Sequence, residues 1–272
     1  MNMVIDDLRP FQKGWTITVT IVRKFYIQNV TNRKGEPLRI MKFIVLDTKG
    51  VCIQVNLFND LIEKFGDMLE KGKTYAINDG NIKPIDVRYM NVHSKIEISL
   101  SQNSKVKEIE GETFFLTKQD FCNFESVLDY QSIDVIGGVV QIKPIIFRKT
   151  RDGNYSKKRE VLLMDNKLNT IKLTLWDDLA ENEGQYLEEN GKTQTVILIT
   201  NVRPNQFEGE VSISSSNISV VAINPLLNET ETLKCRMHTL TEDKKLRDLL
   251  YPSKKLMEAK EVSMDDVIKG KV

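Results

Sequence analysis

Four aromatic residues occupy matched positions in the two halves of this sequence. They are Phe58 and Tyr89 in the first half and Trp176 and Phe207 in the second, and each matched pair is separated by 118 positions (176 − 58 and 207 − 89). A flat aromatic face stacks on an unpaired nucleobase, whereas the bases of a duplex are already stacked on one another. Two such aromatics in each half therefore predict contacts with single-stranded nucleic acid.

Basic residues gather near these aromatics, where they could follow a phosphate backbone. The candidate contact residues are Arg33, Lys34, Lys83 and Arg88 in the first half, with Asn59 next to Phe58, and Arg148, Lys149, Arg151, Lys158 and Arg203 in the second half. An alternative stays open for each residue taken alone, because strand-end aromatics often belong to the core and basic loops are often only solvated surface. The matched placement in two halves favours binding. Aromatics without such a match are expected in the core: Phe25, Phe43, Phe65 and Phe147.

The sequence offers little for catalysis. It has no GxxxxGK[ST] phosphate loop, GxSxG elbow, HExxH motif or dinucleotide fingerprint. The histidines and cysteines are isolated in sequence: His93, His238, Cys52, Cys122 and Cys235. Asp177 and Asp178 open a predicted helix, where carboxylates commonly cap free N–H groups. We therefore expect no enzyme, no metal site and no cofactor.

The elements that position the candidate residues follow a recognisable order. Alternating apolar and polar residues predict strands at 15–23, 40–46 and 51–58, and residues 59–70 change to a helical period that ends at Gly72. Strands resume at 73–78, 81–85 and 87–100. Three strands, a helix and two further strands form the order of an OB-fold, a five-stranded Greek-key barrel.

The same order occurs twice. Asp47 and Asp165 end matching strands 118 positions apart, and Gly72 and Gly191 end matching helices 119 positions apart. A nearly constant offset predicts two copies of one unit. We expect an all-β protein of two tandem OB-fold barrels, each with a short helix between strands 3 and 4. The predicted division is 1–102 for the first barrel, 103–125 for a linker, 126–228 for the second barrel and 229–272 for a tail.

The tail is rich in charge, with helical stretches at 242–250 and 254–260 on either side of Pro252. We expect it to be solvated or flexible; the start of a further domain and a docking helix are the alternatives.

Composition limits the class of protein but not its function. The 272 residues are 40% hydrophobic and 28% charged, which is typical of a globular protein. No apolar run approaches the roughly 20 residues of a membrane span, and residues 1–7 lack the basic-then-apolar layout expected of a signal peptide. The net charge is only +1, so a basic surface would have to be local. Isolated cysteines favour a reducing compartment, and we expect a nuclear location.

Several segments resemble the central DNA-binding core of the replication protein A large subunit. The similar segments are residues 5–17, 31–36, 134–137, 163–165, 174–176 and 211–216. The resemblance covers about residues 5–225. It implies two OB-fold domains that bind single-stranded DNA during replication, repair and recombination, as part of a complex with other subunits that bind through absent regions or the tail.

The resemblance also assigns positions. Phe58 and Tyr89, and then Trp176 and Phe207, match base-stacking aromatics, with Tyr89 replacing a phenylalanine. Basic contact positions of that family are matched by Lys34, Lys83, Lys158 and Arg203. The sequence departs from the family at Gln28, Gln54 and Thr150, which stand at arginine positions, and at Val30, which stands at a tryptophan position. Fewer charges in the first barrel imply weaker binding and a shallower salt dependence there.

Two other functions remain open. Telomere-dedicated relatives of the same subunit share this architecture, and a pair of barrels can also act as a protein-interaction scaffold. For DNA binding, we expect the two barrels to act as modules tethered by the linker, so that binding of one raises the local concentration of the other.

Overall fold

The computed structural model describes residues 2–32, 34–86, 91–114, 116, 120–150, 153, 155–190 and 194–242. Two β-barrels follow one another along the chain. The elements of the first barrel are β1 Asn2–Met3, β2 Thr16–Lys24, β3 Gln28–Thr31, β4 Pro37–Asp47, β5 Cys52–Phe58, α1 Asp60–Phe65, β6 Thr74–Asn78, β7 Asn81–Pro84, β8 Ile96–Ser99 and β9 Lys105–Ile109. A 3₁₀ helix at Ile5–Asp7 precedes β2.

The first barrel has the strand order of an OB-fold. Its sheet runs β7-β8-β5-β4-β2-β6-β9, and only Asp79 and Gly80 separate β6 from β7, which brings the two ends of this order together. The pairing of β5 with β8 is parallel, as the Greek-key connection requires, while β2, β4 and β5 form an antiparallel meander.

The second barrel repeats this arrangement. Its elements are a 3₁₀ helix at Phe124–Asp129, β10 Ile133–Ile142, β11 Ile146–Lys149, β12 Tyr155–Met164, β13 Thr170–Trp176, α2 Asp177–Asn190, β14 Val196–Phe207, β15 Glu210–Ser214, β16 Val221–Ile223 and α3 Asn228–Glu242. The order β10-β12-β13-β15-β14 closes through pairing of β10 with β14, and β13 pairs with β15 in parallel. The prediction of two tandem OB-fold barrels is confirmed.

Each barrel encloses its own core because alternate strand residues face inward. In β2 the inward residues Ile17, Val19 and Ile21 are buried beside Trp15, and in β13 the inward residues are Ile171, Leu173 and Leu175. Equivalent turns fix the strand connections. Asp47 accepts hydrogen bonds from the backbone N–H groups of Lys49 and Val51 through Oδ1, at 2.9 and 3.0 Å. Asp165 repeats the pattern with Lys167 and Asn169 at 2.9 and 2.8 Å.

The two barrels are packed against each other. An apolar cluster crosses from one to the other, with Phe25, Ile44 and Leu46 of the first barrel, Leu116 of the connecting segment and Leu198 and Val220 of the second barrel. Beside it, Arg23 forms a buried bidentate ion pair with Asp178, both contacts at 2.7 Å. Arg23 also donates to the carbonyls of Ser216 and Ser219, at 3.0 and 2.7 Å.

The structure differs from the predicted division of the chain at two places. Lys105–Ile109, within the predicted linker, is β9 and pairs along its length with β6. Asn228–Glu242, at the start of the predicted tail, is α3, which packs Leu233, Met237 and Leu240 against Val140 and Met164 of the second barrel. The predicted helices beyond residue 242 lie outside the described residues. No helix in the described part of the chain is both long and apolar enough to span a membrane.

Candidate nucleic-acid interface

Phe58 and Trp176 occupy the same place in their barrels, at the end of the third barrel strand. The next residues, Asn59 just before α1 and Asp177 at the start of α2, have positive φ angles of 47° and 50°. Their side chains hold that turn against the second strand. Asn59 Oδ1 accepts from the N–H of Arg39 at 3.0 Å, and Asp177 Oδ1 accepts from the N–H of the matching Lys157 at 3.1 Å.

The third strand of the second barrel presents Trp176 on its outer face. Leu173 and Leu175 face the core and are fully buried, so Thr174 and Trp176 face outward. Trp176 is half-buried and lies directly opposite Lys158 in β12. A stacking surface and a cation therefore share one face of the sheet.

The same face continues across the barrel. Thr174 pairs with Ser214, and Ser214 pairs with Arg203 in β14. Phe207 lies four residues beyond Arg203 on the same strand, and therefore on the same face. Its side chain is 75% exposed at a two-residue turn into β15. We call Lys158, Trp176, Arg203 and Phe207 the second-barrel face.

The first barrel has a comparable but less basic face. Phe58, half-buried, shares the outer face of β5 with Asn56. Asn56 pairs with Ser99 in β8, whose neighbour on that face, Glu97, pairs with the exposed Lys83. Phe58, Asn56 and Lys83 form the first-barrel face.

The remaining candidates lie on hairpins, in the turn between β5 and α1, or outside the described residues. Lys34 and Asn59 are exposed, Lys34 in the turn between β3 and β4, and Arg148 and Lys149 are exposed on β11. Tyr89, Arg33, Arg88 and Arg151 lie outside the described residues.

One cation of the second-barrel face, Lys158, is already paired with an acid. Lys158 contacts Glu160 at 2.7 Å, and Lys143 contacts it at 3.0 Å. Burial raises the pKa of Glu160, but the hydrogen bonds from Lys158 and Lys143 outweigh burial and lower it to about 2. Glu160 is therefore a carboxylate at neutral pH and competes with phosphate for Lys158.

Two sequence-based interpretations were wrong. Phe147, expected in the core, is 66% exposed on β11, between Ile146 and Arg148 of the basic hairpin. An apolar residue in a short hairpin gives no signal of its exposure, because the hairpin extends beyond the barrel. Asp178, interpreted as a helix cap, binds Arg23 of the other barrel through its carboxylate. A contact across 155 positions leaves no local sequence pattern.

The interpretation of Phe25, Phe43 and Phe65 as core residues is confirmed, since all three are buried. Sequence reasoning also overlooked Tyr26 and Tyr155. They are 50% and 71% exposed and line a cleft of about 410 Å³ between the barrels, next to Trp176. We call this space the seam cleft. In the part of the chain that the structure describes, no group of three or more His, Cys, Asp or Glu side chains is arranged to hold a metal ion.

Comparison with protein families assigns both barrels. The family described as "Domain of unknown function DUF223" matches residues 6–130, and the family described as "Replication protein A OB domain" matches residues 121–224.

Similar proteins are named as the 70 kDa DNA-binding subunit of replication protein A. One such protein from Arabidopsis thaliana is 34% identical over 84% of this chain and 37% of its own length. Another, from Oryza sativa subsp. japonica, is 31% identical over the same shares of the two chains. This chain thus spans little more than a third of these relatives.

A solved structure supports the fold. "Structure and Conformational Change of a Replication Protein A Heterotrimer Bound to ssDNA" matches with a TM-score of 0.70 at 24% identity, covering 87% of this chain and 55% of that chain. Because that match and the similar sequences cover 87% and 84% of this chain, each includes parts of both barrels. Over both barrels the chain is therefore similar to the 70 kDa DNA-binding subunits of replication protein A, and residues 121–224 match the replication protein A OB domain.

Proposed function

We propose that this chain binds single-stranded DNA largely without regard to sequence, by stacking bases on aromatic side chains and pairing phosphates with basic ones. The observation that carries the proposal is the second-barrel face, where Trp176, Lys158, Arg203 and Phe207 share one sheet surface. Phe58, at the related position of the first barrel, extends the proposed interface to that barrel. Stacking is tolerant of sequence because every base has a flat face.

The remaining candidates complete this proposed interface. Lys34, Lys83, Asn59, Arg148 and Lys149 supply the described polar and basic contacts around the two faces. Arg33, Arg88, Arg151 and Tyr89 are proposed from sequence alone. Duplex DNA is expected to bind poorly because its stacked bases cannot reach Trp176 or Phe207.

The names of the relatives support a DNA-binding role rather than an enzymatic one. They are DNA-binding subunits of replication protein A, and one solved relative is a heterotrimer bound to single-stranded DNA. We propose that this chain protects exposed strands in the nucleus during replication, repair and recombination, without chemistry of its own. Further subunits of a replication protein A-like complex are the proposed protein partners.

Fluorescence anisotropy with a labelled oligo-dT of about 25 nucleotides, within the span of two OB-folds, tests the proposal. The protein is titrated at two salt concentrations, with unlabelled duplex, single-stranded RNA and a G-rich repeat as competitors. We expect salt-sensitive binding that duplex does not displace. The affinity should fall with salt, with a log–log slope of about −0.7 for each phosphate neutralised.

The same titration separates the alternatives. Folded protein that does not bind oligo-dT would contradict the proposal and leave the protein-interaction scaffold. A strong preference for the G-rich repeat would replace general binding by sequence-specific binding. No feature of the described residues favours a telomere-dedicated role, so the proposal is restricted to general single-strand binding.

A further inference from the structure

The seam cleft lies where the two barrels meet. Arg23, Phe25, Tyr26 and Gln28 of the first barrel form one side, and residues of β12, β13 and the segment after β15 form the other. Gln28 begins the hairpin that carries Lys34. Trp176 belongs both to the second-barrel face and to the cleft wall. A strand that passes from one barrel to the other would therefore cross this cleft.

The cleft offers aromatic surfaces from both barrels. Tyr26 projects from the first barrel, and Tyr155 projects from the second at the start of β12. Tyr155 pairs with Lys149 across the hairpin, so it shares a face with Phe147 and Lys157. The volume of about 410 Å³ lies within the range of small-molecule pockets.

The charges of the cleft favour a neutral ligand group. Among its described lining residues the cations are Arg23 and Lys157 and the anions are Asp177 and Asp178, so the formal charges cancel. Arg23 and Asp178 pair with each other. Lys157 binds Glu181, which also accepts the hydroxyl hydrogen bond of Tyr26. With no excess positive charge for a phosphate, the cleft matches a base better.

Polar groups at the cleft suit the edge of a base. Ser215 and Ser216 line it after β15, but their hydroxyls already bond to the Trp176 N–H and the Asn201 carbonyl. The exposed amide of Asn217, next to them, can both donate and accept hydrogen bonds. The walls are held in place by the buried Arg23–Asp178 pair and by the Arg23 guanidinium, which lies 4.1 Å from the centre of the Phe25 ring. The site therefore exists before any ligand arrives.

We propose that the seam cleft binds one base of the DNA single strand where the strand crosses between the barrels, with Tyr155 and Tyr26 as stacking surfaces and Asn217 as a polar contact. This proposal rests on the proposed single-strand binding. It adds to each barrel's own face a site that neither barrel contains alone.

Photocrosslinking of the full chain to oligo-dT carrying 5-iododeoxyuridine tests the site. The iodinated base is placed at each position in turn, and crosslinked peptides are mapped by mass spectrometry. We expect crosslinks at Tyr155 or Tyr26 from internal positions. Binding with crosslinks at Trp176 and Phe207 but at neither tyrosine would overturn the cleft site alone, whereas absence of oligo-dT binding would overturn the proposed function as well.

Affinity measurements give a second test. Tyr155→Ala should weaken oligo-dT binding by roughly tenfold, as expected for the loss of one stacked base. Tyr155→Phe, which keeps the ring, should restore binding. Tyr186→Ala is the matched control, since Tyr186 is 51% exposed on α2 and does not line the cleft. Equal affinity of Tyr155→Ala and Tyr186→Ala would contradict the proposal.

Discussion

Phe207 keeps three quarters of its side chain in solvent at the tip of the turn between β14 and β15. Because so little of this side chain is buried, it contributes little to the stability of the fold. Its replacement should therefore change the affinity for DNA without changing the free energy of unfolding. We expect Phe207→Ala to weaken single-strand binding by about 1–3 kcal/mol while leaving the free energy of unfolding nearly unchanged. Anisotropy titration and urea unfolding measure the two quantities.

Phe11 provides a matched control for Phe207. It is 73% exposed, lies before β2 with its N–H bonded to the Ile82 carbonyl at 2.9 Å, and is not among the residues of either barrel face. Phe11→Ala should bind DNA like the unmodified chain. If both substitutions weaken binding equally, exposed apolar surface rather than the second-barrel face would explain the effect.

The ion pairs of Glu160 make the free energy of unfolding depend on pH. Its pKa is lowered from 4.5 to about 2 in the folded chain, so its ion pairs stabilise the fold above about pH 4.5 and are lost as the pH falls toward 2. We expect Glu160→Gln to reduce the dependence of the free energy of unfolding on pH across this interval. Urea unfolding from pH 2 to 5, with pH 7 as reference, measures it; parallel curves for both proteins would exclude this contribution.

At the residue scale, sequence repetition located the strand-end aromatics but not their surroundings. Phe58 and Trp176 could be predicted because the same strand end recurs at a fixed offset. The exposure of Phe147 and the partner of Asp178 could not, because each depends on how distant segments pack. The pairing of Lys158 with Glu160 was overlooked although the two lie two residues apart on one strand face.

Helix α3 extends the second barrel beyond its last strand. Leu233 is buried against the outer surface of the barrel with Met237 and Leu240. We expect Leu233→Ala to lower the free energy of unfolding by about 2–5 kcal/mol, because it removes a buried side chain and leaves a cavity. Thermal or urea unfolding of the full chain measures the loss.

Arg236 is the control on the same helix. It is exposed, and Arg236→Ala should change the free energy of unfolding by less than about 0.5 kcal/mol. If Leu233→Ala were equally mild, α3 would be dispensable and residues from 228 onward would behave as the solvated tail that their charge suggests.

The elements themselves were largely predictable because strand and helix periods differ and because each pattern occurs twice. Strand β2 was predicted at 15–23 and lies at Thr16–Lys24. α3 was harder to predict, since a helix that packs one side on a barrel retains many charged residues on its other side. β9 was missed because it is a short edge strand whose residues are exposed or only partly buried, so its sequence carries little hydrophobic pattern.

At the scale of the whole molecule, the buried Arg23–Asp178 pair docks the two barrels together with the apolar cluster. Removing either Arg23 or Asp178 leaves the other charge buried without its partner, so we expect Arg23→Ala to lower the free energy of unfolding by about 3–5 kcal/mol. The pair Arg39–Glu63 is largely exposed at 44% and 57%, and Arg39→Ala should cost no more than about 1 kcal/mol. A double-mutant cycle with Asp178→Ala separates the pair from other effects.

The packed interface also changes the expected role of the segment between the barrels. Flexible tethering predicts that affinity falls as the connection lengthens. Docked barrels instead hold their relative positions through the apolar cluster and Arg23. Inserting several glycine and serine residues between the exposed Glu112 and Thr113 should leave oligo-dT affinity unchanged. A progressive loss with insertion length would restore the tethering hypothesis.

The buried contact of Arg23 with Asp178 has a thermodynamic consequence for ligand binding. The entropy of aligning the two domains is lost when the chain folds, so a strand that spans both barrels meets a surface already ordered. Binding and folding are then linked, and whatever loosens the interface weakens both. Under the proposed single-strand binding, the protein therefore determines the path of the DNA between the barrels, because the relative position of the two faces was fixed when the polypeptide folded.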